Sequence, residues 1–108
     1  MYHATIMIHV IVTATIKLGC LDEYLSLARQ LGLLVNKEPG CIRYVYTTDT
    51  NSPLSIQDEI NNDQVTLIEE WESIDALKVH LTAPHLKEFG NQMAPLRISA
   101  TARVTKTI

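Results

Sequence analysis

Six apolar residues, Ile6, Ile8, Val10, Val12, Ala14 and Ile16, occupy every second position near the start of the chain. Between them stand Met7, His9, Ile11, Thr13 and Thr15. Alternation this regular, rich in β-branched side chains, predicts a strand with one fully buried face. The other face is half apolar, so it predicts a cover of its own. After Lys17-Leu18-Gly19 the period changes. Leu21, Tyr24, Leu25, Ala28, Leu31 and Val35 fall on one helical stripe, with Asp22, Glu23, Ser26, Arg29, Gln30 and Lys37 off it. Asp22 and Glu23 suit the positive end of such a helix, and Lys37 the negative end. Gly32 costs a helix about 1 kcal/mol relative to Ala, which argues for close packing on a sheet at that point. Pro39-Gly40 ends the helix.

Period two returns over Cys41–Thr48, with Ile42, Tyr44 and Tyr46 on one face and Arg43, Val45 and Thr47 on the other. Residues 49–63 gather Asn, Asp, Ser, Pro and Gln, which predicts a long loop of functional or mobile character. Val65, Leu67, Glu69 and Trp71 then alternate with Thr66, Ile68 and Glu70 in a third strand. Ser73 is a cap for a short helix whose Ile74, Leu77 and Leu81 point inward. Pro84 opens another, through about Phe89, and Ile98, Ala100, Ala102 and Val104 mark a last strand. Strand, helix, strand, strand, helix, strand is the split βαβ of a ferredoxin-like α+β domain: one antiparallel sheet with helices on a single face. The uncovered face predicts a homodimer in which two sheets meet, a dimeric α/β-barrel assembly.

Composition agrees with one domain, residues 1–108. Nine basic and twelve acidic side chains leave a net charge of −3 and no Lys/Arg patch, which argues against nucleic acid or a polybasic membrane role. Charged residues are 19% of the chain, below the ~25% of ordinary soluble domains, which again favours self-association. The apolar stretch from Ala4 to Ile16 has neither the basic lead nor the cleavage site of an export signal, and it is too short to cross a bilayer. Cys20 and Cys41 have no CxxC spacing and are expected as reduced thiols in a cytoplasmic protein.

The densest chemistry is Glu69-Glu70-Trp71-Glu72-Ser73, followed by His80 and His85. If odd positions of the third strand face the helices, Glu69 and Trp71 point into the space that the short helices cover. His80 lies beside the inward stripe, and His85 opens toward the same place after the proline. A carboxylate, an indole and two imidazoles around an apolar cleft form a small-molecule site. Each also has a structural role open to it. Trp71 and Tyr44 serve packing, Glu69 has Arg97 and Arg103 as partners for an ion pair, and His85 suits a helix start. A neutral imidazole at position 80 can accept a phenolic proton, whereas His9 is placed to meet a partner across the bare face. His80 and His85, five apart across a proline, have poor metal-ligand spacing, so no metal is expected. The chain has no phosphate-binding glycine loop and no GxSxG elbow, and no local motif supports a nucleophilic Cys41.

Three segments resemble the antibiotic-biosynthesis monooxygenase superfamily, and within it the bacterial quinol monooxygenase type. They are Val35-Asn36-Lys37-Glu38-Pro39-Gly40-Cys41 with Tyr44, Leu67 through Ile74, and His80-Leu81-Thr82-Ala83-Pro84-His85. The resemblance runs from the first strand to the last and includes the long segment between Tyr46 and Glu69. It implies a homodimer and oxygenation of an aromatic quinol by O2 without a flavin, haem or metal cofactor. It also implies catalytic roles for His80 and Glu69, and substrate contacts for Trp71, Tyr44 and His85. The haem-degrading members carry an Asn on the first strand and a Trp on the second helix. Here the first Asn is Asn36, and His80 stands at the helical position, so haem degradation is disfavoured. Two other activities remain on the same scaffold: a non-catalytic small-molecule-binding or stress protein, and an isomerase of a small oxygenated signalling molecule.

Overall fold

The computed structural model describes residues 5–108, so Ala4 lies outside the described residues. Four strands, β1 (Ile8–Ile16), β2 (Cys41–Thr48), β3 (Gln64–Trp71) and β4 (Arg97–Lys106), form a single antiparallel sheet in the order β2-β3-β1-β4. Helix α1 (Leu21–Val35) connects β1 to β2. Helices α2 (Ile74–His80) and α3 (Pro84–Met93), then a 3-10 turn at Ala94–Leu96, connect β3 to β4. The architecture is the ferredoxin-like α+β fold. β1 and β2 run parallel, with β3 threaded between them.

One parity of the sheet makes the core. Ile8, Val10, Ala14 and Ile16 of β1 are buried, as are Val65, Leu67, Glu69 and Trp71 of β3 and Tyr44 of β2. Above them Tyr24, Ala28, Leu31 and Val35, at successive turns of α1, close the layer, and Leu77 of α2 and Met93 of α3 complete it. Nearly all of this follows the sequence pattern. The Ser73 side chain accepts a hydrogen bond from the Ala76 N–H at 3.1 Å, so the cap of α2 forms as its residue type demands.

Four expectations are corrected. Ile74 and Leu81 do not pack inward: both are exposed, and Leu77 with His80 takes the inner side of α2. The helix is only seven residues long, so Ile74 starts it and Leu81 already lies past its end. Gly32 has no close neighbour, so close packing does not explain it. Ile6, placed in the buried row of the first strand, is half exposed and precedes β1. Last, α3 continues four residues past Phe89, to Met93, whose side chain anchors its end in the core.

The opposite parity faces away from the helices. Register aligns Val45, Ile68 and Ile11 across β2, β3 and β1 into an apolar row. A row of threonines, Thr47, Thr66, Thr13 and Thr101, lies beside it. His9 is also on this face, where its Nε2 is 2.8 Å from Thr107 Oγ1. The 49–63 segment is held by its own polar groups. Gln57 donates to the Thr50 carbonyl at 2.7 Å and pairs with Ser52, and the Asn61 N–H donates to Asp49. Among the described residues no helix is long and apolar enough to cross a membrane.

Candidate functional site

Between the sheet and the helices lies a cavity of about 410 Å³, within the range of small-molecule sites. Its floor is apolar, from Val10 and Val12 of β1 to Leu67 of β3 and Ala102 of β4. Polar groups enter from few directions: Glu69 of β3, His80 of α2, Tyr44 and Tyr46 of β2, Tyr24 of α1, and Arg97 at the start of β4. The strand and helix periods account for this convergence. Glu69 shares the core parity of β3, and His80 lies three residues after Leu77, on the same side of α2.

The His80 ring is only 3% exposed, and both of its nitrogens meet carboxylates. Its Nδ1 lies 3.0 Å from each oxygen of Glu38, a residue of the turn between α1 and β2. Its Nε2 lies 3.9 Å from Glu69 Oε1, too far for a hydrogen bond. The same Glu38 also receives His85 Nε2, at 2.7 Å. Glu69 Oε1 in turn accepts the Trp71 indole N–H at 2.9 Å. The indole packs against the His80 ring with centroids 4.6 Å apart, and Tyr44 meets that ring edge-on at 5.7 Å. The hydroxyls of Tyr44 and Tyr46 lie 3.1 Å apart and share a hydrogen bond.

Electrostatics follow from this burial. Desolvation pushes the Glu69 carboxyl above the ordinary carboxylate range. The Trp71 donor and the His80 ring pull it back in part, and Glu38 adds to the rise. Burial, then the neighbouring Tyr46 and Glu69, drives the Tyr44 phenol far above its usual value. Tyr46 is pushed up to about 12 by burial, with the Tyr44 hydrogen bond and Arg97 pulling it down. Both phenols therefore keep their protons at neutral pH. The Cys41 thiol is pushed up to about 11 by burial, Glu38 and Glu69. A thiol held in that range is a poor nucleophile.

The sequence-derived residues are thus distributed unevenly. His80, Glu69 and Tyr44 line the cavity. Trp71 does not: its side chain is wholly buried behind them, where it holds Glu69 and supports the His80 ring. His85 does not line the cavity either, and it reaches the site through Glu38. Neither Arg97 nor Arg103 forms an ion pair with Glu69 among the described residues. The 49–63 loop contributes nothing to the lining. Glu38 was missed as a functional residue. It is a charged side chain at a turn, 42 residues from His80, and only its position beside Pro39-Gly40 marks it.

Gly40 explains how that turn meets α2. Its φ of +78° is open chiefly to glycine, and a Cβ there would lie 2.5 Å from the Ala76 side chain of α2. The Cys41 N–H donates to the Glu38 carbonyl and the Glu72 N–H to the Gly40 carbonyl, so the turn is fastened on both sides. At the end of α1, Asn36 Nδ2 donates to the carbonyls of Gly32 and Tyr44, tying the helix to β2.

Comparison with known proteins places these features in a wider group. The family model described as antibiotic biosynthesis monooxygenase matches residues 7–92. Proteins named probable quinol monooxygenase YgiN, from Escherichia coli K12 and Shigella flexneri, are 40% identical over 55 residues. Those residues are 51% of this chain and 52% of each relative, so the match spans about half the length of the curated relatives. Among solved structures, the PA3566 protein of Pseudomonas aeruginosa superposes with a TM-score of 0.82 at 20% identity, covering 99% of both chains. A conserved protein of Methanosarcina mazei Go1 gives 0.80 at 22% identity, over 94% of this chain and 93% of its own. These likenesses establish the fold.

Proposed function

The chain belongs to the antibiotic biosynthesis monooxygenase family, and from that premise we propose that it oxidises an aromatic quinol, or a related phenol, with O2. One observation carries this reading: a largely apolar cavity of about 410 Å³ with the buried His80 imidazole on its wall. The name of the YgiN relatives supports the same substrate class.

A quinol anion reduces O2 by itself, so the protein's task is to bind the ring, favour its ionisation and keep water away. The atoms balance without a further reductant. One oxygen atom replaces a ring hydrogen as hydroxyl, the ring becomes a quinone, and the other oxygen leaves as water. In this mechanism His80 Nε2 accepts the phenolic proton. Glu69, held by Trp71, lies beside that nitrogen and reaches the same hydroxyl. Tyr44 and the β1 valines flank the ring. Trp71 and His85 serve substrate binding indirectly, by backing residues that touch the cavity. No flavin, haem or metal enters the scheme.

The active form is a homodimer joined through the bare sheet face, where the Val45–Ile68–Ile11 row would be covered. Replacing Ile11 by Lys shifts sedimentation from dimer to monomer if that face is the interface. The two unpaired cysteines support a reducing, cytoplasmic setting.

Oxygen uptake with a reduced naphthoquinol, corrected for autoxidation, tests the activity. Wild-type protein is expected to consume O2 and yield the hydroxyquinone, and His80→Ala to lose most of that rate. Full activity in His80→Ala removes the base. Ligand-dependent stabilisation with no uptake by the wild type would make the protein a binding module instead.

A further inference from the structure

We propose that Glu38 is a positioning residue: it fixes the tautomer of His80 so that Nε2 faces the cavity without a proton, and His85 holds Glu38 in place. This inference rests on the proposed role of His80 as base and adds two residues to it. Three observations converge. First, both Glu38 oxygens lie 3.0 Å from His80 Nδ1, so the carboxylate takes an N–H from that nitrogen and from no other atom of the ring. In a neutral imidazole with its proton on Nδ1, Nε2 is left as an acceptor. Second, Nε2 has no hydrogen-bond partner among the described residues: Glu69 is 3.9 Å away, and Nε2 belongs to a residue on the cavity wall. Third, Glu38 is itself restrained. His85 Nε2 donates to it at 2.7 Å, and its backbone is held in the turn pinned by Gly40 against α2.

The arrangement does what a base needs. When Nε2 takes a proton from the substrate hydroxyl, the ring becomes a cation, and the Glu38 carboxylate at Nδ1 stabilises it without moving. Exposure rises outward along the group, from 3% at His80 to 10% at the Glu38 side chain and 27% at His85. The charged pair therefore sits shielded from water, while its outer anchor is reachable. The other titratable groups around it, Glu69 and Tyr44 from the sheet and Cys41 beside the turn, supply no competing donor to Nδ1.

Nitrogen-15 NMR of the histidine side chains decides the point without turnover. In wild-type protein at neutral pH, His80 should show a protonated Nδ1 and a bare Nε2. Glu38→Gln, whose amide can donate to Nδ1, should move the proton to Nε2. In the oxygen-uptake assay the same variant should lose kcat by about 10²- to 10⁴-fold with KM changed little, and Glu38→Asp should recover part of the loss. His85→Ala should have a smaller effect in the same direction. A wild-type His80 carrying its proton on Nε2 overturns the proposal even if no variant folds. So does a Glu38→Gln protein with unchanged tautomer and unchanged kcat. If the wild type shows the expected tautomer yet consumes no O2 with the quinol, the proposed activity fails and the positioning role stands.

Discussion

Strands β3 and β4 flank β1 on either side, and both alternate along their length, but they meet different surroundings. Every second residue of β3 is buried, down to Trp71 with no exposure, because α2 follows it directly and α1 lies over β2 beside it. Along β4 only Arg97 is even half-buried, and Val104 is 54% exposed although it pairs with the buried Val10. The helices roof the β2–β3 half of the sheet and leave the β4 side thinly covered. The difference shows which strand carries most of the core. β3 buries Val65 and Trp71 completely and still gives Leu67 and Glu69 to the cavity wall. Ala102 and Val104 of β4 line the same cavity from its exposed side.

Mutations should separate the two halves sharply. Trp71→Ala is expected to cost about 3–5 kcal/mol, since it empties the core and leaves Glu69 without its donor. Urea denaturation measures it, and a loss below 1 kcal/mol would mean that β3 is no better packed than β4. Gly40→Ala should cost about 2–4 kcal/mol, from the positive φ and the clash with Ala76, and should also disturb the His80 signal by displacing α2. Alkaline titration tests the burial of the phenols on β2. Unfolded tyrosines ionise near 10, whereas Tyr46 holds its proton to about 12 and Tyr44 beyond that. The stability that the two phenols contribute is therefore complete below pH 10 and falls as pH rises past it, by up to about 1.4 kcal/mol per pH unit for each phenol. A double Tyr44→Phe, Tyr46→Phe variant should flatten the fall.

Glu69 gives a gentler pH effect of the same sign. Its folded value is raised, so the folded state holds a proton that the unfolded state has already released. Wild-type stability should decline as pH climbs from the ordinary carboxylate range through that raised value, whereas Glu69→Gln should not decline there. Paired denaturation curves at pH 4 and 7 read the difference, which should favour Gln more at pH 7. Smallest of all, Val104→Thr on β4 should change stability by no more than about 0.5 kcal/mol. A larger loss would show that β4 is covered in solution.

How far the sequence disclosed this arrangement depends on the range of each interaction. Period two placed Val65, Leu67, Glu69 and Trp71 on one face, and residue chemistry placed the Ser73 cap, because both are local properties. His80 and Glu69 stood out as polar groups among inward positions. The turn of α2 about its own axis was not local. Ile74, Leu77 and Leu81 make a stripe in the sequence, but α2 turns Leu77 and His80 inward and brings Ala76 close against Gly40. The exposure of β4 depends on where the roof ends, which no single strand records. The role of Glu38 was invisible for the same reason: its partners lie 42 and 47 residues away, on the far side of two strands and a loop.

That loop carries a last consequence. Residues 49–63 satisfy many of their polar groups among themselves and stay off the cavity wall. The hairpin joining the two tyrosines to the glutamate can therefore lengthen, shorten or accept a fluorescent tag while the cavity keeps its shape, which makes this segment the natural handle for engineering the protein.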